Sequence, residues 1–164
     1  MIVTYVLYFV AAMLIHELGH LAAARACRVP ATELGLGWGT RLYGFRLGEV
    51  EYQLRALPVG AYVRLDIEEL QRRPLDQQVL VLLAGIIFNL AAAGMVPGTR
   101  FGMMNLLLAA TNLLPLYQQD GWKCGMVCLR ALLKRQSPVV EWTFTIVGGG
   151  MSLALFVAQA LRHL

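Results

Sequence analysis

Four apolar runs divide the chain, roughly Ile2 to Ala26, Leu75 to Val96, Phe101 to Leu133 and Val139 to Leu161. Each is at least as long as the ~20 residues that carry an α-helix across a hydrocarbon core. The third is interrupted near Pro115 and holds one acid, Asp120. Between the first and second runs the pattern changes. Around Glu51-Tyr52-Gln53-Leu54-Arg55 polar and apolar residues alternate with period two, which is a strand signal. Gly48 and the stretch Leu57-Pro58-Val59-Gly60 punctuate it like turns. The pattern predicts a mainly α, polytopic membrane protein. About four transmembrane helices are expected. A membrane-associated β-hairpin insertion of two or three short antiparallel strands, about residues 33–66, separates helices 1 and 2. Residues 1–164 read as a single domain, with no internal repeat.

Composition agrees with that pattern. Hydrophobic residues make up 58% of the chain and charged residues 15%, against about 25% charged in soluble domains. The net charge of +4 is spread between the apolar runs. No basic helix or aromatic-interleaved patch points to nucleic acid. The basic residues instead predict topology. Seven arginines lie between the first two runs: Arg28, Arg41, Arg46, Arg55, Arg64, Arg72 and Arg73. Only Arg100 lies in the turn between runs two and three, while Arg130, Lys134 and Arg135 precede run four. The positive-inside rule then predicts a multi-pass cell-membrane protein with both termini outside and the arginine-rich connections in the cytoplasm. No basic n-region precedes the first run, so it reads as a retained span and not as a cleaved signal. The three cysteines, Cys27, Cys124 and Cys128, are too few for a disulfide framework and read as small buried hydrophobes.

Candidate chemistry lies inside the first run, at His16-Glu17-Leu18-Gly19-His20. Ionisable groups at membrane depth are costly and mark function. Residues four apart share a helix face, so His16 and His20 can point at one metal ion. This is the H-E-x-x-H zinc signature, in which the glutamate is general base and not ligand. A catalytic zinc takes three protein ligands and keeps a fourth position open, so a third ligand must come from elsewhere. Depth points to Asp120. His16 and Asp120 lie roughly 22 and 30 Å down their helices at 1.5 Å per residue, both toward the cytoplasmic side. Asp120 could instead cap a helix restarting at Gly121. Cys124 and Cys128 share its helix face and rank below it as ligands, one and two turns deeper. One Zn²⁺ per chain is expected. His163 reads as a tail residue.

Three stretches together resemble the site-2 protease family of intramembrane zinc metalloproteases. "HELGH" at 16–20 is similar to its first motif. "NLLPLYQQDG" at 112–121 resembles its second, usually N-x-x-P followed by L-D-G. "YQLRALPVGAYVRL" at 52–65 resembles its membrane-associated β-hairpin, and "AGIIFN" at 84–89 its small-residue helix start with an Asn. Gln119, Trp122 and Ile86 depart from the residues usual at their positions. The ligand spacing is kept. The resemblance covers most of the chain and implies a minimal catalytic core without a PDZ domain.

The function expected is zinc-dependent hydrolysis of peptide bonds within or near transmembrane segments of other membrane proteins. Glu17 is the general base, and His16, His20 and Asp120 hold the metal. A substrate helix must unwind, and each freed backbone group in lipid costs several kcal/mol unless re-paired. A strand edge at Tyr52, Gln53, Leu54 and Arg55 could re-pair them by β-addition. Asn112, beside the Pro115 break, could bond the extended substrate. Asn89 is a weaker substrate-binding candidate, with helix packing as its other role. The alternative is a catalytically inactive metal-binding scaffold that sequesters a partner helix, which would have no use for Glu17. A metal transporter would need more polar residues in the second and fourth runs.

Overall fold

The computed structural model of the protein describes residues 2–133 and 137–161; Lys134, Arg135 and His163 lie outside them. In chain order the elements are α1 (Ile2–Ala26), β1 (Ala31–Leu47), β2 (Val50–Leu65), α2 (Ile67–Arg72), α3 (Leu75–Met95), α4 (Arg100–Leu113), α5 (Asp120–Leu133) and α6 (Pro138–Leu161). Helices α1, α3 and α6 are long and apolar enough to cross a membrane.

The packing of α1 inverts the water-soluble pattern. Its buried positions are Ala12, His16, Gly19, His20, Ala23 and Ala24, with Leu21, while Ile2, Val3, Val6, Leu7 and Leu18 are exposed. Lipid solvates leucine and isoleucine as well as a protein interior does, so the small and polar residues form the helix contact. Gly19 shows how close that contact is: a Cβ there would lie 2.6 Å from the Ala84 carbonyl oxygen. Helix α3 answers with Val81, Ala84, Gly85 and Asn89, all buried and all on one side. Helix α4 runs beside α1 in the same direction. Phe101 packs on Tyr8 with ring centroids 5.6 Å apart, and Arg100 stacks on Tyr5 at 5.7 Å.

The third apolar run is not one helix. It is two, α4 and α5, of 14 residues each. At 1.5 Å per residue each is about 21 Å long, too short to cross a ~30 Å core alone. The break has local causes. Leu114 precedes a proline and is extended, with φ −64° and ψ 144°. Gln118 takes a left-handed φ of 73°. Gly121 lets the start of α5 close on the end of α4, because a Cβ there would lie 2.6 Å from the Leu113 carbonyl carbon.

The insertion is a small antiparallel sheet made by two long, bent strands of 17 and 16 residues. Both fold back, so part of each strand has two neighbours. Leu34 faces Val63 on one side and Tyr52 on the other, and Gly35 faces Tyr62 and Gln53. Tyr52, Gln53 and Leu54 also face Phe45, Gly44 and Tyr43. These three residues are therefore inside the sheet, which corrects the expectation of a free edge there. Arg55 is a cross-link: its guanidinium reaches Tyr62 Oη at 3.1 Å, Gln53 Oε1 at 2.9 Å and the Gly39 carbonyl at 3.1 Å. Period-two alternation marks a strand but says nothing of how many neighbours it has. Two segments are singly paired and form the opposite edges of the sheet, Arg41–Leu47 and Ala61–Leu65; the second is the one that lies along α1.

The sheet lies lengthwise along α1. Pro58 meets Ile2, Tyr5 and Phe9 around one apolar pocket; a Cβ at Gly60 would lie 3.9 Å from Met13 Cε; and Leu21 packs with Ala31, Leu34 and Val50. Strand Ala61–Leu65 thereby passes the level of the histidines.

Candidate metal centre

His16 and His20 come from α1, and Asp120 is the first residue of α5. All three are buried, at 4%, 7% and 4% exposure. The break after α4 is what delivers Asp120: a continuous helix would carry its carboxylate on past the histidines. The three side chains converge. His16 Nε2 lies 2.8 Å and His20 Nε2 3.0 Å from Asp120 Oδ2, and the two Nε2 atoms are 3.2 Å apart. Among the described residues these three form the one cluster of metal-ligating side chains, and Cys124 and Cys128 are outside it.

Zinc fits this donor set. Bonds of about 2.0–2.1 Å place tetrahedral neighbours about 3.3 Å apart, close to the separations here. The outer nitrogens point the same way. His20 Nδ1 donates to the Val81 carbonyl at 2.7 Å, and His16 Nδ1 lies 2.7 Å from Asn89 Oδ1. With Nδ1 carrying the proton, each Nε2 turns a lone pair to the centre. Two lone pairs and a carboxylate oxygen then face one another, and a single cation satisfies all three. Lys123 Nζ holds the other carboxylate oxygen, Oδ1, at 3.1 Å, which leaves Oδ2 facing inward.

Glu17 is half-buried beside the ligand set and not within it. Its carboxyl is within Coulombic reach of His16, His20 and Asp120 and close to the backbone amide of Val63. The general-base candidate thus sits between the metal-facing atoms and strand Ala61–Leu65.

The other expected site residues divide. Asn112, on the last turn of α4, donates to the Leu108 carbonyl at 3.0 Å and is half-buried; Pro115 is exposed at the break. Both remain open to a substrate. Asn89 does not. It is wholly buried, and its amide is spent on His16, the Ala12 carbonyl at 2.9 Å and Asn105 Oδ1 at 2.8 Å. Substrate contact at Asn89 is corrected to support of His16.

Two contributors went unread in the sequence. Asn105, also wholly buried, holds Asn89; an amide in an apolar run was the available signal. Gly85 borders both imidazoles: a Cβ there would lie 2.6 Å from His16 Nε2 and 2.6 Å from His20 Nε2.

A family model for peptidase family M50 matches residues 4–100. A proposed zinc metalloprotease of Clostridium perfringens is 36% identical over 95 residues, which is 53% of this chain and 28% of that protein. A second, from Synechocystis, is 38% identical over 91 residues, or 48% of this chain and 25% of that protein. A third, from Clostridium acetobutylicum, is 34% identical over 100 residues, or 56% of this chain and 30% of that protein. The chain therefore spans less than a third of the length of each of these relatives. The chain belongs to peptidase family M50, the family of the site-2 proteases.

Proposed function

We propose that the protein hydrolyses peptide bonds within or next to transmembrane segments of other proteins, with one zinc ion held by His16, His20 and Asp120. The observation that carries this reading is the convergence of three buried donors beside a glutamate that is not one of them. Bound there, zinc supplies a Lewis acid that polarises a carbonyl and lowers the pKa of a water to about 7. Glu17 takes the proton from the attacking water and delivers it to the leaving nitrogen. Asp120 stays ionised, tied to Lys123 through Oδ1.

The substrate enters as an unwound segment. Strand Ala61–Leu65 pairs with it by main-chain hydrogen bonds, since this segment has one neighbour and passes Glu17. Asn112, on the last turn of α4, and the exposed Pro115 that follows are the further groups offered to the unwound chain. The exposed side chains of the sheet, Trp38, Leu42, Tyr43, Phe45 and Leu57, suit lipid better than water. The proposed setting is the cell membrane with both termini outside, a reading supported by the seven arginines between the first two apolar runs. Cysteines introduced at Glu49 and Thr99 should then label from opposite sides of sealed vesicles; same-side labelling would refute this orientation.

The test is made on purified protein in proteoliposomes with a model transmembrane substrate. Zinc is measured on the same samples. Wild type should hold one zinc and cleave, while Glu17→Gln should keep the zinc and lose about 10²–10⁴-fold in rate. Zinc binding without cleavage in the wild type would favour a metal-binding scaffold that sequesters a partner helix.

A further inference from the structure

The chain His16–Asn89–Asn105 crosses three helices, and its hydrogen-bond polarity can be read from its ends. Asn105 Nδ2 donates to the Phe101 carbonyl at 2.9 Å. A backbone carbonyl only accepts, so the NH₂ of Asn105 is fixed there and its Oδ1 must face Asn89. Asn89 presents its amide to two acceptors, the Ala12 carbonyl at 2.9 Å and Asn105 Oδ1 at 2.8 Å. Its NH₂ therefore faces both, and its Oδ1 is left for His16 Nδ1 at 2.7 Å. That oxygen requires the proton on Nδ1. We infer that Asn105 is a positioning residue for the zinc site: acting through Asn89, it fixes the ring orientation and tautomer of His16 so that Nε2 is free to bind metal.

A packing role alone does not account for two amides at these positions. Both asparagines are fully buried, and buried amides in an apolar surround are costly unless every group is paired. Alanine or leucine would pack at Asn105 with no such demand. The link also joins His16 to α4, the helix whose last turn carries Asn112.

This inference rests on the zinc reading above, and its test separates the two. Zinc affinity of the full chain in detergent is measured by chelator competition for wild type, Asn89→Leu, Asn105→Leu and the double variant. The visible d–d spectrum of the cobalt-substituted forms is recorded alongside. Loss of an outer-shell partner typically weakens metal binding by 10–100-fold. Asn105→Leu should weaken zinc by about 10-fold in the wild-type background and shift the cobalt spectrum. In the Asn89→Leu background it should do neither, because Asn105 acts only through Asn89. A packing role would give the same loss in both backgrounds, and that result overturns the inference. So does an unchanged affinity in Asn105→Leu when the wild type binds zinc. Wild type that binds neither metal overturns the zinc reading and this inference with it. Should Asn105→Leu fail to fold, Asn105→Ser, whose hydroxyl is too short to reach Asn89, takes its place in the same cycle.

Discussion

Gly85 faces His16 across the α1–α3 contact with no room for a side chain, since a Cβ at Gly85 would lie 2.6 Å from His16 Nε2. The same Cβ would lie 2.6 Å from His20 Nε2. The space beside both metal-facing nitrogens exists because this one position has no side chain. Gly85→Ala should fold, because Ala is a better helix former than Gly by about 1 kcal/mol. It should nonetheless push the imidazoles apart, and overpacking of this kind typically costs 1–3 kcal/mol. If that cost falls on the metal-bound state, zinc affinity by chelator competition should drop by about 5- to 140-fold at unchanged helical content by circular dichroism, at ~1.4 kcal/mol per tenfold. Full zinc affinity in Gly85→Ala would show that the space at Gly85 does not control the centre.

Asp120, and not the cysteines that follow it, should control the metal. Its Oδ2 is 2.8 Å and 3.0 Å from the two Nε2 atoms, while Cys124 and Cys128 lie outside the cluster. Asp120→Ala should empty the site, and the Cys124→Ser, Cys128→Ser double variant should retain one zinc by elemental measurement. The reverse order would reassign the third ligand.

Strand Ala61–Leu65 offers a second test of the site. Val63 pairs with Leu34 on one side, and its amide lies near Glu17 on the other. Proline removes a backbone donor and is tolerated at strand edges. Val63→Pro should therefore keep zinc and the sheet, yet lose cleavage of a transmembrane substrate by more than it loses cleavage of a short unstructured peptide. Gln53→Pro, inside the sheet, should instead damage the insertion itself. Equal losses on both substrates for Val63→Pro would remove the strand from substrate binding.

The insertion should also carry a pH dependence. Glu33 is buried, which opposes its charge, but hydrogen bonds from Tyr62 and Arg55 and the charge of Arg64 outweigh burial and hold its carboxyl below the ordinary value of 4.5. A carboxyl with a depressed folded value stabilises above its unfolded value and loses that contribution as pH falls through the folded one. The sheet should thus be insensitive to pH above about 5 and weaken as pH drops below 4.5. Amide exchange of β1 and β2 followed from pH 6 to pH 3 should show this loss after correction for intrinsic rates. In Glu33→Gln the slope should flatten. An unchanged slope in that variant would move the effect to another carboxyl.

What the amino-acid order determined by itself was the part governed by short-range rules. Apolar run length marked three of the four runs as helices long enough to cross a membrane, because lipid sets that length; the third run is broken and its length alone did not show it. The four-residue spacing of His16 and His20 places both on one face whatever surrounds them. Asp120 stood out as the one acid of the third run, but depth reckoned along a continuous helix did not place it; the break after α4 did. Two further parts of the site were decided only by tertiary structure. Whether Tyr52–Leu54 was an edge depended on how two long strands folded back on each other, and alternation is the same for a strand with one neighbour or two. Whether Asn89 served substrate or ligand depended on which groups two other helices brought within 3 Å of it. Buried amides must satisfy every donor and acceptor, and that accounting closes only when Ala12, Asn105 and His16 are in place around Asn89, and Phe101 behind Asn105.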